Sequence, residues 1–285
     1  MAQTNTLTAT IQMRDNTFDS AQIPALAHSE AGVMAREELN RFLALVESLS
    51  GDDWQQPTDC TEWSVRDMLA HQAGAYAGFS SWSEFKHQMT AKAAPGQMMV
   101  DAMNARQLAD RAGCTPSELI SELRSVGPRA IRTRQRLPLP LRKLPVPFGP
   151  PLGTVPVEYL TDLIYTRDTW MHRADIARAT GKSFMQTADH DGRVVALVVR
   201  DLARTLQDAL RGRSLVLDLS GAAGGRFQIG TMAEPTAILK MDVVEFNRLA
   251  SGRISPEAVQ SLGLVAVSGD RSFADQVLAE TSVPY

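Results

Sequence analysis

The apolar pattern of this 285-residue chain changes period near residue 212, and that change limits the fold more than any motif does. Before it, apolar side chains recur at helical spacing, as in Val33, Leu39, Phe42, Leu43, Val46 and Leu49. After it, Ser214 to Ser220 alternates as a strand does, Gly221 to Gly225 forms a turn, and Arg226 to Gly230 reads as a second strand. A third strand is expected over Ala237 to Lys240 and a fourth over Leu264 to Ser268. Short helices are expected at Val243 to Ala250, after Ser255-Pro256, and from Ser272. Helices first and a small mixed region second give an α+β chain. The expected division is a flexible, polar arm over 1–28, a helical bundle over 29–212, and an α+β domain over 213–285.

Within the bundle, end signals place the helices. Ser64 followed by Asp67 is a capping box, opening a helix expected to run through His71 toward Phe85. A helix over Val100 to Ala112 follows. Thr115-Pro116 with Glu118 opens another, reaching Arg136. Seven prolines between Leu137 and Pro156 exclude a helix there and predict an extended loop. A helix from Val157 to Thr180 is stopped by Gly181, and one more spans Asp189 to Leu210.

Composition narrows the class of function. A net charge of -3 argues against a dedicated nucleic-acid binder. The two cysteines, Cys60 and Cys114, form no CxxC pair, which fits a cytoplasmic location and excludes a cysteine-rich zinc site. No secretory signal and no membrane-length apolar run are expected. Seven basic residues and no acidic ones lie between Leu123 and Lys143. They read as a solvated face, or alternatively as an electropositive rim for an anionic substrate. The four tryptophans read as core anchors.

The helix carrying Asp168-Thr-Trp-Met-His172-Arg-Ala-Asp175 sets two carboxylates and an imidazole on one face, at spacings of four and three. With His71 from another helix, Asp168 and His172 make a donor set that suits zinc and leaves a coordination position open. Iron, nickel or manganese would also fit. Asp175 could orient a ligand imidazole or act as a base. Spacing alone leaves a blander alternative, a surface carboxylate and a satisfied core histidine.

Three segments resemble the mycothiol-dependent maleylpyruvate isomerase family. They are Leu49 to Gly74, with its Trp, Pro-Thr, Cys60, Trp63 and terminal His71; Arg167 to Gly181, with its acid-x-x-x-His-x-x-Asp helix; and Leu249 to Asp270, with Ser251-Gly-Arg253. The resemblance implies a DinB-like four-helix bundle followed by a sterol-carrier-like α+β domain. It implies zinc as the divalent metal on His71, Asp168 and His172, with Asp168 where the family pattern has Glu. It further implies Asp175 as an acidic catalytic helper, Arg253 as the substrate-binding arginine, and mycothiol as thiol cosubstrate. The expected function is addition of a metal-activated thiolate to a small, carboxylate-bearing electrophile, giving cis–trans isomerisation or thiol transfer. The partner is that small molecule, with no nucleic acid and no membrane, and the protein a monomer or homodimer. The rival expectation is a non-catalytic small-molecule or lipid carrier.

Overall fold

A computed structural model describes residues 17–149, 152–231 and 234–285. Contacts between Cα atoms divide the chain into two compact units. The first takes 27–146 and 155–184; the second takes 185–285 with the described parts of 1–26 and 147–154.

The first unit is helical: α1 (His28–Glu47), α2 (Val65–Ser80), α3 (Trp82–Met89), α4 (Met99–Asp110), α5 (Pro116–Gln135) and α6 (Tyr165–Thr180). The long helices α1, α2, α5 and α6 pack as a bundle around Leu39, Phe42, Leu69, Leu119, Leu123, Ile131 and Ile176. The expected caps form. Ser64 Oγ accepts from the Asp67 amide at 3.3 Å, and the Asp67 carboxylate accepts from the Ser64 amide at 3.0 Å.

Three expectations change here. The helix expected to continue toward Phe85 breaks, because Ser81 takes an extended backbone and its side chain caps α3 instead. The extended loop expected over 137–156 contains a short helical turn, Leu139–Arg142, and a two-stranded ribbon, Pro145–Gly149 with Gly153–Pro156. The helix expected from Val157 starts as a wide π-type turn, Tyr159–Ile164, before regular α6 geometry sets in. Such turns are rare, and often lie beside functional residues. Gly181 ends α6 with φ of 64°, a left-handed conformation that glycine adopts freely.

The second unit holds α7 (Asp191–Thr205), α8 (Val243–Ala250), α9 (Pro256–Ser261) and α10 (Arg271–Glu280) with a five-stranded sheet. The strands are β1 (Phe18–Asp19), β2 (Leu215–Ser220), β3 (Gly225–Ile229), β4 (Ala237–Asp242) and β5 (Val265–Gly269), in the order β1-β3-β2-β4-β5. The β2–β3 and β4–β5 pairs are antiparallel, and the β1–β3 and β2–β4 pairs are parallel.

Two boundaries differ from those read off the sequence. Helix α7, expected in the bundle, joins the sheet's core: Val195, Val198, Val199 and Leu202 pack in one cluster with Leu215, Leu217 and Phe246. An apolar stripe at helical spacing fits a sheet as well as a bundle, so periodicity could not decide between them. In the expected arm over 1–28, Phe18 pairs with Phe227, and α1 begins at His28; residues 1–16 lie outside the described residues. Among the described residues no helix is long and apolar enough to cross a membrane.

Candidate metal centre

Helices α2 and α6 bring His71, Asp168 and His172 together. Asp168 Oδ2 lies 3.3 Å from His71 Nε2, and Asp168 Oδ1 lies 3.2 Å from His172 Nε2. One donor atom from each of the three residues falls within 4.8 Å of the other two. Both imidazoles are buried, while the Asp168 side chain keeps 23 % of its surface exposed. The centre is therefore backed by protein and open at its carboxylate.

Each imidazole is held from behind at Nδ1. His71 Nδ1 donates to Gln107 Oε1 at 2.9 Å, and His172 Nδ1 donates to Asp175 Oδ2 at 3.2 Å. A ring that spends its Nδ1 proton in this way can present Nε2 as a lone pair. Gln72 Nε2 donates to Asp168 Oδ2 at 2.5 Å, and Gln72 Oε1 accepts from Thr169 Oγ1 at 2.8 Å. The Trp63 ring covers both imidazoles, with centroids 4.9 Å from His71 and 5.7 Å from His172.

The charges are strongly coupled. Burial works against the Asp168 carboxylate, but the imidazoles of His172 and His71 hold it well below the usual carboxylate range. Burial would also lower the His172 pKa, yet Asp168 and then Asp175 push it up to about 9. Both shifts favour a protonated His172 beside an ionised Asp168.

The donor set fits a divalent ion. Donors bonded to one zinc ion lie about 3.4 Å apart, and each imidazole Nε2 stands at about that distance from an oxygen of Asp168, 3.3 Å for His71 and 3.2 Å for His172. Two imidazoles and one carboxylate, each ring supported at its far nitrogen, are also the chemistry that zinc takes in open sites. Cys60, His172 and Asp175 form a second group of donor atoms, but it includes the carboxylate that bonds His172 Nδ1. The first group leaves both supporting hydrogen bonds intact.

The remaining site residues fall out differently. Asp175, with no exposed side-chain surface, sits behind His172, in the place of an orienting group. Arg253 lies in the turn after α8 in the sheet unit, where its amide donates to the Arg248 carbonyl at 2.9 Å. The neighbouring Arg248 is buried, and its Nη1 meets Glu245 Oε2 at 2.5 Å. The basic stretch is largely spent on internal bonds. Arg124 pairs with Glu47, Arg142 and Lys143 pair with Glu158, and Arg134 is buried over the rings of Tyr76 and Tyr165. Trp54 and Trp170 are core residues as expected, but Trp82 is 68 % exposed and Trp63 belongs to the site. Gln72, Gln88 and Gln107 carry no sequence signal, because glutamine at those spacings reads as helix surface.

A family profile described as the mycothiol maleylpyruvate isomerase N-terminal domain matches residues 35–177. No curated protein sequence matches the chain. The fold is similar to crystal structures of the mycothiol-dependent maleylpyruvate isomerase and of a histidine-to-alanine mutant of it. Both have a TM-score of 0.55, and both alignments cover 88 % of this chain and 96 % of the other. Sequence identity is 14 % to the first and 15 % to the mutant, so the likeness is one of fold. The profile spans His71, Asp168 and His172 and half of the chain, and the chain belongs to the mycothiol maleylpyruvate isomerase family.

Proposed function

We propose that this protein is a mycothiol-dependent metalloenzyme that adds a thiolate to a small electrophile, as an isomerase or a thiol transferase. The observation that carries the reading is the meeting of His71, Asp168 and His172, with Nε2 of both rings turned toward one partly exposed carboxylate. These residues would hold the ion, with zinc the best match to the donors. When bound, a divalent ion supplies a Lewis acid that favours the thiolate over the thiol near neutral pH.

The chain's own residues do the positioning. Asp175 and Gln107 hold the two rings, Gln72 holds Asp168, and Trp63 shields both imidazoles. The thiolate sulfur forms a bond to one carbon of a conjugated double bond, and the π electrons move onto the adjoining carbonyl. The former double bond is then single and can rotate. Return of the electrons expels the thiolate and leaves the isomer, with no net redox change. Capture of a proton by the adduct instead would complete a thiol transfer. The substrate carboxylate is assigned to Arg253 on the family resemblance alone.

The test is zinc-loaded protein assayed with maleylpyruvate and with simple electrophiles, each with mycothiol, another thiol or no thiol. Turnover that needs both metal and mycothiol is expected. Equal turnover after chelation, or without thiol, would refute the proposal.

A further inference from the structure

A chain of buried amides runs from a backbone carbonyl to the back of His71. Gln88 Nε2 donates to the Gly74 carbonyl at 2.8 Å and to Glu84 Oε1 at 2.9 Å. Gln107 Nε2 donates to Gln88 Oε1 at 2.9 Å, and Gln107 Oε1 faces His71 Nδ1 at 2.9 Å. Gln88 and Gln107 are 2 % and 3 % exposed, so no bulk water competes for these bonds.

The polarity of this chain is fixed at its far end. A carbonyl and a carboxylate only accept, so the Gln88 amino group must face Gly74 and Glu84. Its oxygen then faces Gln107, whose amino group must turn toward it. That leaves only the Gln107 oxygen for His71. The result does not depend on how either amide is assigned, because the flipped arrangement sets oxygen against oxygen. Gly74 makes the path available: a Cβ there would lie 2.6 Å from Gln107 Cβ.

We infer that Gln88 and Gln107 are positioning residues that keep a proton on His71 Nδ1, so that a divalent ion can take the place of a proton on Nε2, the nitrogen that faces Asp168. The two rings reach the same tautomer by different means. His172 leans on a carboxylate, Asp175, whereas His71 leans on neutral amides. The amide support adds no negative charge. A divalent ion with Asp168 and Asp175 then sums to zero, and an anionic fourth ligand such as a thiolate can still join it.

The inference rests on the proposal that His71 is a metal ligand, and the experiment separates the two. Ring ¹⁵N–¹H correlation spectra of the metal-free wild type, recorded in alkaline buffer, should show His71 with its proton on Nδ1. A ring with no proton on Nδ1 would overturn the inference without any variant. Zinc affinity is then measured by competition with a chromophoric chelator for Gln107→Leu, Gln88→Leu, Gln107→Glu and His71→Ala. Gln107→Leu should weaken zinc binding by about 10–100-fold, the range for losing a group behind a metal-bound histidine. Gln88→Leu should weaken it less, while Gln107→Glu, which still accepts from Nδ1 but sets a carboxylate against Gln88 Oε1, should lose less affinity than Gln107→Leu. Wild-type affinity and tautomer in both leucine variants would overturn the relay. Wild-type affinity in His71→Ala would overturn the ligand assignment instead.

Discussion

The interiors of the two units differ in kind. The sheet unit centres on one large apolar cluster, from Val195 and Leu202 through Leu217 and Leu239 to Phe246 and Val277, with buried polar groups such as Asp191, Asp201 and Ser214 around it. Asn247, a buried polar residue there, is served nearby: its amide donates to Val243 one turn back, and its oxygen accepts from Tyr285. The bundle instead buries His71, Gln72, Gln88, Gln107, His172, Arg173 and Asp175. Several of their partners come from other helices, as in His71 with Gln107, Gln72 with Asp168, and Arg173 with Glu38. Burying polar groups costs free energy unless each finds a partner, so the bundle's polar interior depends on contacts between helices staying in place.

The largest expected effect tests that contrast. His172→Ala removes the donor shared by both candidate groups, together with its hydrogen bond to Asp175. Zinc affinity should fall by more than the roughly 100-fold that loss of a supporting group costs, and activity with it. Metal analysis of the purified variant measures the first, and full activity in a metal-free variant would break the assignment. The mirror experiment lies in the sheet unit. Phe246→Ala empties a site that is 1 % exposed and should cost about 3–5 kcal/mol of stability, seen as an earlier melting transition. Well below that transition, zinc affinity should match the wild type. A parallel loss of zinc would erase the distinction between the two interiors.

Asp175→Asn is the intermediate case. It keeps the volume and removes the charge behind His172, so zinc should bind about 10–100-fold more weakly. It also sharpens a pH prediction. In the metal-free wild type, His172 holds its proton up to a pKa of about 9, and zinc has to displace that proton. Affinity should therefore rise about tenfold per pH unit below about 9 and flatten above it. The same proton contributes to the stability of the metal-free protein, fully below the usual histidine value of 6.5 and decreasingly as pH rises toward about 9. In Asp175→Asn one of the causes that raise this pKa is gone, so the affinity curve should flatten at a lower pH. Chelator competition across pH 6 to pH 10, on the order of the range where histidine and its neighbours titrate, checks both curves.

Much of this contrast was written in the sequence, though unevenly. His71, Asp168 and His172 were legible because helical spacing and the Pro-Thr, Cys60 and Trp63 context place them. The supporting groups were not. Gln107 and Gln88 matter through tertiary contacts between α4, α3 and α2, and nothing at i±3 or i±4 announces them. The missing side chain at Gly74 leaves room that the Gln107 side chain fills, a contact that only the tertiary structure shows. Helix α7 carried a clear apolar stripe, but a stripe names a buried face and not what covers it. Trp63 and Trp82 show the same limit: two similar tryptophans, one over the metal donors and one exposed.

The smallest expected effects concern helix caps, where the two units should not differ at all. Ser64 caps α2 through Asp67, and Ser255 caps α9 by accepting from the Ala258 amide at 3.1 Å. Either serine to alanine leaves one helix-end amide without its partner, a change worth about 1 kcal/mol wherever it occurs. Only Ser64 sits on a helix that carries a metal donor, with His71 near its middle. If the first turn of α2 were what aimed that ring, Ser64→Ala would cost zinc affinity as well as stability. The ring is instead held at Nδ1 by Gln107, which belongs to α4 and does not feel fraying at residue 65. Ser64→Ala should therefore match Ser255→Ala in the stability it loses and match the wild type in zinc affinity. A selective loss of zinc binding in Ser64→Ala would move the aiming of His71 from the glutamine relay to the helix end.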